Sequence, residues 1–510
     1  MKTTAFLFLI AFVSLLRAST EDVEIQVDVF GGKGAGKFDR ANITREENKV
    51  LQAPFAGGDG STLNQVIAAP DGSLYFCGSL GDNPLKTLPF SSASDPEGSA
   101  FVAHLTPDAR TLKSLLRLPR EFTSARRLAI APDGTVVVAG ESSGELSVAR
   151  VSGGLDEILW TKKVTGDTVA SLAVAPDNSV VVCPSTIPFV SRIAPDGSKL
   201  IPFGNSQTFR IDGANPEIFK AWWEGCGYAA AGYKGGATYL RGGNAGVAAL
   251  PDGTFVLFSS NFLRHPGGGP DFDLMLLKFN GDGKILWCTN LLDGLPAESD
   301  QKSPSMLIDP YTGDLLLCAN QHGHFKHNLI FTDGAYQNPH PYITGDITIG
   351  WVARVDPATG KPKAATYFFP EIPGSLVGGK KRANSLFLIA AASDKAGNLY
   401  VTGASAYKFE TTLHAFQSEG NSGAFIAAFS PKLDRLLYAS LITEPGSEIE
   451  PTSIAVAPGG PVTVGNFSPK KSRASEFSPT NADVTNYLLP HLAGPRGSFL
   501  NYTPSGPWLN

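Results

Sequence analysis

Apolar and polar positions along this chain fall into a recurring pattern. Short unbroken apolar runs stand at Leu74-Tyr75-Phe76, Val136-Val137-Val138, Val180-Val181-Val182, Phe255-Val256-Leu257, Leu315-Leu316-Leu317, Leu399-Tyr400-Val401 and Val462-Thr463-Val464. Ahead of them apolar residues alternate with other residues, as at Leu128 and Ile130, Leu172 and Val174, Met306 and Ile308, or Ile454 and Val456. Alternation predicts a strand, and an unbroken run predicts a strand covered on both faces. A turn signal separates each pair: Pro70-Asp71-Gly72, Pro132-Asp133-Gly134, Pro176-Asp177-Asn178, Pro251-Asp252-Gly253, 309–313, 394–398 and Pro458-Gly459-Gly460. Asp caps its own backbone there, and Gly or Asn takes the positive φ. Two further apolar stretches follow each pair, so one copy reads as a four-stranded antiparallel sheet. The most complete copy spans 393–441.

Small sheets that need cover on two faces are satisfied by stacking in a closed ring. The expected fold is therefore all-β, a single β-propeller of seven four-stranded blades over residues 61–490. Residues 22–30, DVEIQVDVF, alternate strictly and read as a strand with one wet face that pairs with the last sheet. They lie in an N-terminal strand and linker region, 19–60. Residues 1–18, with Lys2 ahead of an apolar run from Ala5 to Val13, read as a signal peptide cleaved near Ala18. Residues 491–510 read as a C-terminal tail. Steps between turn markers are 62, 44, 75, 59, 84 and 64 residues, and the two longest hold insertions at 204–243 and 320–348.

The sixth copy resembles the bacterial SBBP-type β-propeller repeat. The resemblance rests on Gly397 to Gly403, on Ala415-Phe416-Gln417 and on Ala424-Phe425-Ile426-Ala427. Ala335-Tyr336-Gln337 with Gly350-Trp351-Val352-Ala353 repeats it in the fifth copy, and Ala100-Phe101-Val102-Ala103 in the first. The other four copies keep only the turn and strands. The resemblance implies an exported or surface-exposed protein and specifies no activity. Residues 277–287 and 353–361 look like units of the pyrroloquinoline-quinone propellers, in which a Trp opening the fourth strand docks one blade to the next. Trp160 and Trp287 fit that place, and Tyr367 stands near it in the fifth copy. They imply an aromatic plug between blades, with no quinone site.

The formal charge of -5 becomes -7 without Lys2 and Arg17, which leaves no cationic footprint for nucleic acid. Lys380-Lys381-Arg382 reads as a solvated loop. Gly31 to Phe38 has the glycine and lysine spacing of a phosphate-binding loop, but Phe38 stands where Ser or Thr is needed and no helix-forming segment follows. Of five cysteines, Cys77, Cys183 and Cys318 share one register position at the end of second strands, too far apart across sheets to bridge, and read as buried packing residues. Cys226 and Cys288 are left open. No further stretch is long and apolar enough to span a membrane.

Two clusters carry candidate chemistry. His322, His324 and His327 offer imidazoles for a transition metal, and the competing reading is a polar loop. Trp222 and Trp223, with Tyr228 and Tyr233, offer platforms for a sugar ring or a protein partner, and the competing reading is that they cover a blade edge. No catalytic residue and no cofactor is expected. The function that follows is an exported, monomeric binding or scaffold module for a protein or glycan at the cell surface. The alternatives are a metal-assisted hydrolase or lyase acting on polysaccharide, and a structural cell-surface component.

Overall fold

The computed structural model describes residues 48–504 apart from 55–60, 83–87, 202–207, 211–223, 232–242, 265–269, 295–299, 323–328, 339–346, 416–422, 443–447, 469–496 and gaps of one to three residues elsewhere. Antiparallel sheets follow one another along the chain. Sheet 1 holds Thr62–Ala68, Leu74–Ser79, Ala100–Leu105 and Leu112–Arg117, and sheet 2 holds Ser124–Ile130, Val136–Ser142, Glu145–Val151 and Ile158–Val164. Sheet 3 holds Val169–Val174, Val180–Pro184, Phe189–Ile193 and Leu200–Ile201, with Thr208–Arg210 also paired to Phe189–Ile193. Sheet 4 holds Gly243–Ala249, Phe255–Arg264, Pro270–Phe279 and Ile285–Thr289, and sheet 5 holds Asp300–Ile308, Leu315–His322, Thr348–Val355 and Pro362–Phe368. Sheet 6 holds Leu386–Ser393, Leu399–Ser405, Gly423–Phe429 and Leu436–Leu441. Sheet 7 holds Glu448–Ala457, Gly460–Ser468, Gly497–Pro504 and, on its outer edge, Asn48–Pro54. Among the described residues no helix is long and apolar enough to cross a membrane.

The apolar runs explain how these sheets stack. Side chains alternate between faces of a strand. Leu74 and Phe76 enter the core shared with sheet 7, while Tyr75 and Cys77 enter the core shared with sheet 2. Val136 and Val138 face sheet 1, and Val137 and Ala139 face sheet 3. Seven apolar clusters each join one sheet to the next, and one of them joins Val462 and Val464 of sheet 7 to Leu63 and Leu74 of sheet 1. The ring is closed. Each fully buried Val or Leu contributes about 1.5–3 kcal/mol relative to exposure, and the sheets obtain it only from their neighbours.

Side chains on or beside the innermost strands carry hydrogen bonds across the junctions. Each innermost pair has a register shift at one position, for example between Leu63 and Gln65 or Leu388 and Ala390. Backbone groups near these bulges are met from the preceding sheet: Asn64 Nδ2 donates to the Ala125 carbonyl at 2.7 Å, and Asn320 donates to and accepts from Leu388 at 2.8 Å each. Asn466 Oδ1 accepts from the Leu63 amide at 3.0 Å, which repeats the device where the chain's two ends meet.

Among the described residues six sheets are four-stranded blades, one fewer than the seven expected, because Thr208–Arg210 makes sheet 3 five-stranded. The strand that completes the last blade from the N-terminal side is Asn48–Pro54; residues 22–30 lie outside the described residues. Gly497–Pro504, within the expected tail, is an interior strand of that blade. Lys380, Lys381 and Arg382, expected in a solvated loop, belong to the strand Lys380–Ala383, which pairs with Glu371–Val377 in a two-stranded ribbon.

Candidate functional site

The turns behave as their residue types demand. Asp71 Oδ1 accepts from the Ser73 amide at 2.9 Å and from its hydroxyl at 2.6 Å, and Gly72 sits at φ 83°. Asn178 takes the same place at φ 63°. The turn Asp has a second use. A cation one residue before the end of the third strand reaches it in sheets 2 to 5: Arg150 to Asp133 at 2.8 Å, Arg192 to Asp177 at 2.7 Å, Lys278 to Asp252 at 3.4 Å and Arg354 to Asp309 at 2.5 Å. The arginines also cross to the following sheet. Arg150 donates to the Asn178 and Pro195 carbonyls, Arg192 to the Gly281 carbonyl and Arg354 to the Gly397 carbonyl. Burial pushes Asp133, Asp177 and Asp309 up, but hydroxyl, amide and guanidinium donors more than offset it and hold all three below the ordinary carboxylate range. The recurring cation in Ala149-Arg150-Val151, Ser191-Arg192-Ile193, Leu277-Lys278-Phe279 and Ala353-Arg354-Val355 was the available signal.

Trp160 and Trp287 are the plugs their place implied. A Cβ on Gly197, in sheet 3, would meet the Trp160 ring at 2.6 Å, and the Trp160 indole donates to the Pro195 carbonyl at 2.9 Å. Trp287 lies over Gly360 of sheet 5 in the same way. Tyr367 differs: it is buried in the core between sheets 4 and 5, with its hydroxyl on Gln321 at 2.7 Å.

The Ala-Tyr-Gln element also serves the frame. Gln337 Nε2 donates to the Phe369 carbonyl at 3.0 Å, and its Oε1 accepts from the Phe369 amide at 2.9 Å. Thr332 Oγ1 donates to the Ala365 carbonyl and accepts from the Ala365 amide. The loop between second and third strands thus lies along the fourth strand and meets part of its outer hydrogen-bonding edge. Thr412 does the same to Ala439 in sheet 6, and Pro89 with Ser91 brackets Leu115 in sheet 1. These are the three sheets that carry the repeat resemblance.

The candidate ligand residues fall unevenly. Trp222, Trp223, Tyr228, Tyr233, His324 and His327 lie outside the described residues. His322 ends the second strand of sheet 5, half-buried, in register with Asp300 and Thr348. Among the described residues no group of three or more His, Cys, Asp or Glu is placed to hold a metal.

One part of the 204–243 insertion is described and packed. Around Glu224–Gly227 the Gly227 amide donates to the Glu224 carbonyl at 3.1 Å, and the Ala231 amide to the Gly227 carbonyl at 3.1 Å. Cys226 is buried and Ala231 partly so, both against the core between sheets 3 and 4. Asn290 Nδ2 donates to the Cys226 carbonyl at 3.0 Å. The Cys226 Sγ lies 3.5 Å from the Cys288 Sγ. Burial pushes the Cys226 thiol well up, whereas its donation to Cys288 holds the Cys288 thiol below the ordinary value. Cys77, Cys183 and Cys318 are buried as expected, and burial pushes all three thiols up, Cys77 and Cys183 to about 12. The three share one place, opposite the first residue after the bulge of the innermost strand, and Val464 stands there in sheet 7.

Small antiparallel sheets stacked face to face in a closed ring, each docked to the next, make this protein a β-propeller. No family model and no curated protein matches the chain. Solved structures similar to it include the WD40 repeats of RRP9, at 11% identity and TM-score 0.43 over 90% of this chain and 98% of that one. The hydrazine synthase of Kuenenia stuttgartiensis matches at 11% identity and TM-score 0.43 over 81% and 96%. A catalytically inactive virginiamycin B lyase from Staphylococcus aureus matches at 10% identity and TM-score 0.42 over 89% and 99%.

Proposed function

We propose that this protein is an exported binding scaffold, an SBBP-type propeller whose ring has seven blades if the five-stranded sheet 3 is counted as one. Its partner is a protein or glycan, engaged through the insertion that carries Trp222 and Trp223. The observation that carries this reading is the packing of that insertion around Glu224–Gly227. Cys226, three residues after Trp223, buries against the ring, and Ala231 packs partly against it. A segment anchored on a rigid frame has less ordering cost left for recognition. The repeat motifs add support from the other direction, since their conspicuous Asp, Arg, Trp and Gln side chains bond or pack within the frame. Residues 1–18 supply the export signal in this reading.

The test compares the full chain with Trp222→Ala and His324→Ala on an array of bacterial cell-envelope glycans and surface proteins, alongside native mass spectrometry for bound metal. Trp222→Ala is expected to weaken capture about tenfold or more, as an aromatic anchor does, while His324→Ala leaves it unchanged. A stoichiometric metal, lost in the His322, His324 and His327 triple alanine variant, overturns the reading in favour of the metal-assisted enzyme. Equal binding by wild type and Trp222→Ala removes the aromatic pair from the site.

A further inference from the structure

We infer that Cys226 and Cys288 are a disulfide pair, a cross-link that fastens the insertion between sheets 3 and 4 to the outermost strand of sheet 4. The inference does not depend on what the insertion binds. Cys226 sits in the insertion, Cys288 sits in Ile285–Thr289, and their sulfurs lie 3.5 Å apart. Both side chains pack against the same apolar cluster. Their backbones are held together independently of the sulfurs, because Asn290, two residues beyond Cys288, donates to the Cys226 carbonyl. Closing from thiol contact to a bond therefore asks only for a small movement of side chains already facing each other. Of the other three cysteines, Cys77 and Cys318 are buried in the cores of other sheet pairs, and Cys183, which shares the core between sheets 3 and 4, turns its Sγ to the neighbouring Pro184 carbonyl at 3.7 Å, whereas the Cys226 Sγ faces Cys288.

The two thiols are unequal in a way that orders the exchange. Cys288 is only partly buried and its thiol is the more easily ionised, so it attacks first. Its thiolate displaces one thiol from a disulfide donor and leaves a mixed disulfide on Cys288. Cys226, losing its proton, then displaces the second donor thiol. Two protein thiols become one disulfide, and one donor disulfide becomes two thiols. The donor is a small-molecule or protein disulfide. The bond closes a loop of about 60 residues and restricts the unfolded chain accordingly.

The experiment uses the purified full-length chain, reduced, freed of reductant and then incubated folded with oxidised glutathione. After denaturation, alkylation and proteolysis, mass spectrometry should find two of the five cysteines protected, no retained glutathione, and one peptide pair joining Cys226 to Cys288. Cys226→Ser should stop at the first step and hold glutathione on Cys288. Limited proteolysis within 211–242 should run about tenfold slower in the oxidised wild type than in the reduced protein, as expected when local opening is suppressed. Five alkylated cysteines, a bridge between any other pair, or glutathione retained on both Cys226 and Cys288 would each overturn the inference. The wild-type result decides the matter even if the serine variant does not fold.

Discussion

Arg354 shows how much one side chain can hold in this ring. It is 6% exposed, its partner Asp309 is 0% exposed, and its second hand reaches the Gly397 carbonyl in the next sheet. Removing the cation leaves a buried carboxylate without its counter-charge. Arg354→Met is therefore expected to cost about 3–5 kcal/mol in urea unfolding at neutral pH. The pH dependence has a definite sign. Burial pushes Asp309 up, but Arg354 and the Tyr311 amide more than offset it, so the folded carboxyl titrates below its unfolded value. The stability from this shift is full above the unfolded carboxylate range and is lost as pH falls through the folded value. Arg354→Met should flatten that acid limb, and an unchanged limb would remove Asp309 from it. The cation's place was legible in the repeat. Its bond to a turn 45 residues earlier was not, since register alone brings them together.

Among the elements, the loop laid along the fourth strand accounts for the Ala-Tyr-Gln motif. A fourth strand is the outer edge of its blade, and unpaired edge groups invite pairing with another chain. In sheet 5 the Tyr336 amide also donates to the Leu433 carbonyl of sheet 6 at 2.9 Å, so the loop ties neighbouring blades as well. Gln337→Ala removes both bonds to Phe369. The expected loss is about 1–3 kcal/mol, concentrated locally, because two backbone groups lose their partners. Hydrogen exchange is the check: the Phe369 amide should exchange faster while the amides of sheet 2 stay as they were. A uniform change across all sheets would instead make Gln337 part of the global core. The motif was visible as a string of letters, and its bonding to a strand some thirty residues later came only with the fold.

At the scale of the whole molecule, closure is the decisive feature. Asn48–Pro54 pairs with Gly497–Pro504, so one blade is built from both ends of the chain. Deleting residues 1–54 strips the outer strand from sheet 7 and exposes the edge of Gly497–Pro504. A lower urea midpoint and concentration-dependent association are expected, the latter because a bare edge is a pairing template. Sedimentation velocity across a concentration series, with urea unfolding, is the check. An unchanged midpoint together with a single monomeric species would mean that the strand contributes nothing to closure.

The local units were legible along the chain. Alternation, unbroken apolar runs and Pro-Asp-Gly turns are short-range constraints on one backbone, and they placed all the paired first and second strands and the propeller they imply. The shared register placed Cys77, Cys183 and Cys318 as packing residues, and the resemblance to the quinone propellers implied that Trp160 and Trp287 are plugs. Tertiary structure decided everything that depends on two distant segments meeting. Thr208–Arg210 joined sheet 3 as a fifth strand, a segment expected to be a tail became interior, and Cys226 came to Cys288 across 62 positions. Periodicity records which face of a strand is apolar, whereas these pairings are fixed by which edges remain open once the ring has closed.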